Sequence, residues 1–256
     1  MSAEQVAVDP SPFDLAGAGA DGARAAALCL HGLTGTPYEV RPVAEELARR
    51  GLRARGPALP GHNATPEELA GVRHDEWLEA VRDEAAKLRA EHERVFAVGL
   101  SLGGLLSLAL AAEGEVDAVV SVGAPLQLSA PIRWLVPIAK RWVAFAPKKV
   151  GSDIRDEAAR ARHPSHPVMP LASVHELIRL QDRVVRSLAS IRVPILVAHG
   201  AHDATASPED ALRILAAVGS AESEHLVLEN SAHVVPVDFD GERLAEAVAD
   251  FLLRQL

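Results

Sequence analysis

The chain is predicted to be an α/β protein, a mainly parallel sheet flanked by helices, with an inserted cap. Three observations predict it. Short apolar, β-branched or aromatic runs alternate with amphipathic stretches of helical period along most of the 256 residues. One such run, Val95-Phe96-Ala97-Val98, passes through Gly99-Leu100-Ser101-Leu102-Gly103 directly into an apolar helical stretch. The alternation fails once, between Ala124 and Arg192, over a stretch too long for an open loop in a compact domain. That stretch is expected to cap one end of the sheet after the strand ending near Val122. The length suits a single domain over 1–256, with a core of about 12–124 and 192–256 and a cap of about 125–191.

The Ala/Gly-rich stretch 15–27 is expected to be a flexible entry or a weak edge hairpin. Residues 25–31 form the first predicted strand; its Cys29 is the single cysteine, so no intrachain disulfide can form and small-residue core packing is its expected role. His31-Gly32-Leu33-Thr34-Gly35-Thr36-Pro37 reads as a Gly-rich turn with Thr36 as N-cap and Pro37 at the first helical position, leading into a helix near 38–50. A strand at 52–58 follows. In the helix 74–91, Trp77, Leu78, Val81, Ala85 and Leu88 recur at three- and four-residue steps, a core-facing stripe. The strand 94–100 leads into a helix at 102–112, and a further strand is predicted at 116–122. The cap carries two of the three tryptophans and two apolar helical patterns, 132–145 and 174–188. After it come a strand at 194–199, a helix at 208–218 announced by Ser207-Pro208-Glu209-Asp210, a strand at 225–229 and a helix at 241–256.

Composition excludes several classes. A formal net charge of -9 offers no electrostatic reason to bind nucleic acid. Residues 1–14 contain Glu4, Asp9 and Asp14 and no basic stretch followed by an apolar one, which argues against a signal peptide. Nothing approaches a transmembrane span, so stable membrane insertion is not expected and a cytoplasmic setting is. Composition says nothing about oligomeric state.

A serine between glycines at a strand-to-helix turn is held in a strained conformation that projects its hydroxyl above the sheet edge, so Ser101 is read as a catalytic nucleophile. A serine hydroxyl needs a base. His233, in Asn230-Ser231-Ala232-His233 between the last predicted strand and the last helix, is the candidate; His202 lacks that position. The acid that orients the imidazole is expected to be Asp203, directly after the strand 194–199, because Ser207 already supplies the cap of the next helix. Asp238 and Asp240 follow His233 and rank below it. Backbone N–H groups of Leu33 and Leu102 are assigned to the oxyanion hole. His163, His166, His199 and His202 lack a convincing metal-ligand spacing, and Gly32 and Gly35 make no P-loop, so neither a metal nor another cofactor is expected. The apolar segment 132–143 offers core packing, an acyl-pocket wall or a weak lipid contact, in that order.

In these motifs the chain resembles the α/β-hydrolase superfamily, and within it the bacterial carboxylesterase and monoacylglycerol lipase group. The resemblance rests on His-Gly-Leu-Thr-Gly-Thr-Pro at 31–37, Leu59-Pro60-Gly61-His62 with Pro66-Glu67-Glu68-Leu69 and Trp77, the elbow at 99–104, His202-Asp203 through Pro208, and Ser231-Ala232-His233-Val234. It implies an α/β-hydrolase fold and a serine hydrolase of carboxylic esters, short- to medium-chain acyl esters or monoacylglycerols, working through an acyl-enzyme. Gly32, Leu33, Trp134, Leu135, Ile138 and Val234 are then the expected substrate-binding residues. Leu33 stands where the group commonly has an aromatic residue, Asn63 and Ala232 where it commonly has Gly. The same triad would serve a thioesterase, amidase, C–C hydrolase or acyltransferase, and a non-enzymatic ligand receptor on a hydrolase scaffold is the alternative from another class.

Overall fold

The computed structural model describes residues 8–18, 24–148 and 151–256. In chain order its strands are β1 (Phe13–Leu15), β2 (Ala25–Leu30), β3 (Arg53–Gly56), β4 (Arg94–Leu100), β5 (Ala118–Val122), β6 (Phe145–Pro147), β7 (Val168–Pro170), β8 (Ile195–Gly200) and β9 (Ser223–Leu228). Its α-helices are α1 (Arg41–Arg49), α2 (Pro66–Gly71), α3 (His74–Glu91), α4 (Leu102–Glu113), α5 (Ala130–Ala139), α6 (Glu157–Arg162), α7 (Leu171–Ser187), α8 (Glu209–Ala217) and α9 (Gly241–Leu253).

Seven strands make the main sheet in the order β1-β3-β2-β4-β5-β8-β9, parallel throughout except for β1. The antiparallel edge strand β1 is formed by Phe13, Asp14 and Leu15 pairing with Gly56, Arg55 and Ala54. Three residues are too few for a periodic signal, which is why this strand escapes a reading of the sequence. The expectation for 15–27 falls partly outside the described residues, since 19–23 are not among them. The β2, β4, β5 and β8 runs lose both faces to the core, as parallel strands under two helix layers must. One apolar cluster joins α3, α4 and α7 to one face, and a second joins α1 and α9 to the other. The predicted stripe of Trp77, Leu78, Val81, Ala85 and Leu88 is buried throughout. Cys29 is a buried free thiol, and burial pushes it up to about 12.

Boundaries moved for local reasons. The helix expected at 38–50 is a 3-10 turn, Pro37–Val40, followed by α1, whose own second residue is Pro42. Thr36 precedes that turn, yet its hydroxyl makes no capping bond. Inside the cap the first helix is α5 rather than 132–145, and the chain then forms a small antiparallel pair, β6 and β7, with α6 between them. The second helix expected in the cap, 174–188, is α7, which matches that span closely, and α6 is an additional short helix before it. No helix among the described residues is long and apolar enough to cross a membrane.

Strands β3 and β4 lie on opposite sides of β2, so the chain reverses its direction of winding between β2 and β4. In parallel α/β sheets such a point opens a crevice beyond the strand carboxyl ends. The loops after β2, β4 and β8 all emerge there.

Candidate active site

Gly99 and Gly103 are explained by contact rather than by dihedral angle. A Cβ on Gly99 would stand 2.0 Å from the Gly103 carbonyl oxygen, and one on Gly103 would stand 2.1 Å from the Leu30 carbonyl oxygen. Their absence lets α4 start tightly against β4 and β2. The chain turns between them at Ser101, whose φ of 55° and ψ of -112° are unusual for a non-glycine residue. Such a conformation costs about 1–3 kcal/mol and persists only where its surroundings dictate it. Here the Ser101 N–H is fixed by the Val122 carbonyl at 2.8 Å. The side chain is left at the wall of a cavity of about 430 Å³, which His233, Gly32, Leu33 and Val234 also line.

Asp203 and His233 come together across 30 residues of sequence. His233 Nδ1 donates to Asp203 Oδ2 at 2.8 Å, which leaves Nε2 without the proton and able to act as a base. The carboxylate is 0% exposed and fully engaged: Oδ1 accepts the Thr205 and Ala206 N–H groups at 2.8 and 2.7 Å, and His199 Nε2 lies 2.9 Å from Oδ2. Burial alone would push Asp203 up; the His233 charge and the His199 and His233 bonds outweigh it and hold the carboxyl below its ordinary range. Burial pulls His233 down, and the charge and hydrogen bond of Asp203, with smaller help from Asp153 and Glu39, bring it above the ordinary histidine value.

The elimination that pointed to Asp203 differs from what the structure shows. Ser207 does not cap α8 with its side chain; the residue before that helix is Pro208. Asp203 itself takes the turn amides of Thr205 and Ala206 while holding His233, so one carboxylate does both jobs. Asp238 and Asp240 are ties of the histidine loop: Asp238 accepts Ala232 N–H at 2.8 Å, and Asp240 accepts Asn230 N–H at 2.7 Å. His202 is exposed. His163 and His199, weighed as metal ligands, each face a buried carboxylate, Glu39 and Asp203 respectively.

Leu102 opens α4, where first-turn N–H groups have no intrahelical acceptor. The loop after β2 carries Leu33. Its left-handed residue is Thr34 (φ 65°); neither glycine of the loop has a positive φ, and they serve the turn by leaving room where a Cβ would press on Glu39. His31 pins the loop from beneath. Its Nε2 accepts Leu59 N–H at 3.1 Å, so Nδ1 carries the proton and donates to the Gly32 carbonyl at 2.9 Å. His62 stacks edge-on against His31, and Trp77 donates to the Pro60 carbonyl at 3.1 Å, so Leu59-Pro60-Gly61-His62 serves as the loop's support.

Of the six expected substrate-binding residues, Gly32, Leu33 and Val234 line the cavity. Trp134, Leu135 and Ile138 do not; they are 78%, 62% and 56% exposed. At 100° per residue Trp134 and Ile138 lie on the side of α5 opposite Ile132 and Val136, and Leu135 lies on the flank. Ile132 faces the cavity, and Val136 packs on Val174 and Ile178 of α7. The apolar wall is therefore Leu128, Ile132, Met169, Val174 and Leu177. The cavity is also lined by polar residues, Glu39, Lys148, Ser152, Asp153, His163 and Ser165. Sequence reasoning missed this polar lining because its members are scattered over three loops with no periodic or motif signal.

A family model described as Hydrolase_4, serine aminopeptidase S33, matches residues 21–240. The chain belongs to the Hydrolase_4 family. This Hydrolase_4 protein is 28% identical over 231 residues to a thermostable monoacylglycerol lipase of Bacillus sp. strain H-257, spanning 89% of this chain and 90% of that protein. It is 27% identical over 252 residues to a carboxylesterase of Bacillus subtilis strain 168, spanning 96% and 97%. A solved structure from work on LipS and LipT, two metagenome-derived lipolytic enzymes, superposes with a TM-score of 0.89 at 28% identity, covering 98% of this chain and 100% of that one. A soluble variant of monoglyceride lipase from Saccharomyces cerevisiae superposes with a TM-score of 0.82 at 15% identity, covering 95% and 91%, a likeness of fold alone. The fold is that of the α/β-hydrolases.

Proposed function

We infer that this Hydrolase_4 protein is a serine hydrolase of carboxylic esters, acting on short- to medium-chain acyl esters or monoacylglycerols. The observation that carries the reading is the shared cavity: Ser101 in its strained elbow and His233 held by Asp203 line the same 430 Å³ space. Ser101 Oγ attacks the ester carbonyl while His233 Nε2 takes its proton, and Asp203 holds the imidazole in the tautomer that permits this. The Leu33 and Leu102 N–H groups receive the negative charge of the tetrahedral oxygen. His233 then protonates the leaving alcohol, and water attacks the acyl-enzyme with His233 again as base. The apolar wall suits an acyl chain and the polar lining a small hydroxylated alcohol. No step calls for a cofactor. The likeness to a monoacylglycerol lipase and a carboxylesterase supports the same reaction class. The outward face of α5, with Trp134, Leu135 and Ile138 exposed beside Trp142, supports a weak lipid contact through the cap.

The test is turnover of p-nitrophenyl esters of graded acyl length and of monoacylglycerols, beside Ser101→Ala, with an aminoacyl p-nitroanilide as the peptidase control. Ester turnover that vanishes in Ser101→Ala supports the assignment. Ester turnover that persists in Ser101→Ala, or anilide turnover exceeding ester turnover, overturns it.

A further inference from the structure

The loop that carries Leu33 is gripped by a buried carboxylate–imidazole contact that the hydrolytic steps leave unused. Glu39 turns back beneath the loop, and its Oε2 accepts Gly32 N–H at 2.7 Å. A Cβ on Gly32 would stand 3.1 Å from Glu39 Oε2, and one on Gly35 would stand 2.1 Å from Oε1. The two glycines of the loop therefore make room for this carboxylate. From the cap, His163 Nε2 comes within 3.0 Å of Glu39 Oε1, with the two side chains 2% and 5% exposed. His163 is held in turn by Ser152, whose Oγ lies 2.7 Å from His163 Nδ1. Two more cap groups hold the left-handed Thr34: Lys148 Nζ donates to its hydroxyl at 2.5 Å, and His166 N–H donates to its carbonyl at 3.0 Å.

Burying a carboxylate is a poor device for stability, since apolar residues of similar volume commonly serve as well or better. A bare carboxylate beside a developing oxyanion would also oppose catalysis unless another group drew on its charge. Both objections lose force if the pair sets geometry. The amide that Glu39 fixes belongs to Gly32, the residue immediately before Leu33, and His163, 3.0 Å from the other carboxylate oxygen, closes on the carboxylate from the cap. We propose that Glu39 and the cap-borne His163 form a positioning pair that aims the Leu33 N–H at the oxyanion, so that the oxyanion hole is complete only when the cap is seated on the loop. Neither residue touches the reacting atoms.

This inference rests on the serine ester hydrolase reading, and the experiment separates the two. Full-length Glu39→Ala, Glu39→Gln and His163→Leu are compared with wild type and Ser101→Ala on a p-nitrophenyl ester, with inhibition by an alkyl boronic acid as a tetrahedral mimic. Glu39→Ala and His163→Leu are expected to lower kcat about 100-fold with KM within about threefold, and to weaken the boronic acid by a similar factor. Glu39→Gln keeps an acceptor for Gly32 N–H and is expected to recover kcat to within about tenfold of wild type. If Glu39→Ala does not fold, His163→Leu carries the comparison. Ser101-dependent turnover within about twofold of wild type in folded His163→Leu overturns the proposal alone. So does Glu39→Gln no better than a folded Glu39→Ala. Absence of any Ser101-dependent turnover removes the parent reading and this one with it.

Discussion

Replacing Asp203 by Asn tests the triad through its hydrogen-bond geometry. The carboxylate accepts three N–H groups, Thr205 and Ala206 at Oδ1 and His233 at Oδ2, and His199 Nε2 also lies 2.9 Å from Oδ2. An asparagine has one acceptor oxygen. With that oxygen kept toward the two backbone donors, the new NH₂ faces both imidazoles, and each must turn a lone pair to it. His233 then carries its proton on Nε2 and cannot accept one from Ser101. The flipped amide would instead leave two backbone N–H groups without an acceptor, at about 1–3 kcal/mol each, whereas a change of tautomer costs less. The tautomer trap therefore wins. The expected loss in kcat is about 10⁴-fold, with about 3 kcal/mol of stability lost with the charge. The pH profile adds a second readout. Neutral His233 is the active base and Asp203 raises its pKa, so the wild-type acid limb should lie above the ordinary value of 6.5. Without that charge burial dominates, and the limb of the residual activity should move to lower pH. Steady-state assays from pH 5 to 9 and nitrogen NMR of the His233 ring measure both. Folded Asp203→Asn with kcat within about tenfold of wild type, and its imidazole proton still on Nδ1, would refute the argument.

Gly103→Ala should cost about 3 kcal/mol or more, because its Cβ would press to 2.1 Å on the Leu30 carbonyl in the central strand; a Tm within about 2 °C of wild type would contradict this. Ile132→Trp should shift the preferred acyl length downward while Trp134→Ser leaves it unchanged, because Ile132 faces the cavity and Trp134 faces away; a length series on both variants measures it. Glu39 should contribute to acid stability. Burial alone would raise its pKa, but His163, His31 and Gly32 N–H outweigh it and bring the pKa down to about 2 from an ordinary 4.5. A depressed folded pKa means stability that is full above about 4.5 and lost as pH falls toward about 2. The difference in denaturation midpoint between wild type and Glu39→Gln should therefore shrink across that window, and a constant difference would count against it.

Much of the core could be read from the chain because it rests on local rules. A run of six apolar residues such as Ala25–Leu30 can only be buried on both faces, and the stripe from Trp77 to Leu88 can only be the inner side of a helix. The elbow was legible because glycines flank Ser101 in the sequence, although what excludes a Cβ at Gly103 is the Leu30 carbonyl, a contact made only in the fold. Asp203 and His233 were proposed from their positions after strands, and the structure brings them within hydrogen-bond distance. Asp203 is not spared a local role by a Ser207 cap: Ser207 makes no capping bond to α8, and Asp203 itself holds the Thr205 and Ala206 amides.

Sequence by itself therefore determined the order of the inner strands and of the long helices beside them, and the positions of Ser101, Asp203 and His233 just after strands, all read from short stretches of neighbouring residues. Tertiary structure alone decided which face of α5 meets the cavity: Trp134, Leu135 and Ile138 are as apolar as Ile132, and only the position of α7 tells them apart. It also decided that Glu39 and His163, separated by 124 residues between positions 39 and 163, share one buried contact beneath the Leu33 loop. Burial of a charge depends on what the rest of the chain places around it, and no local pattern of residues encodes that.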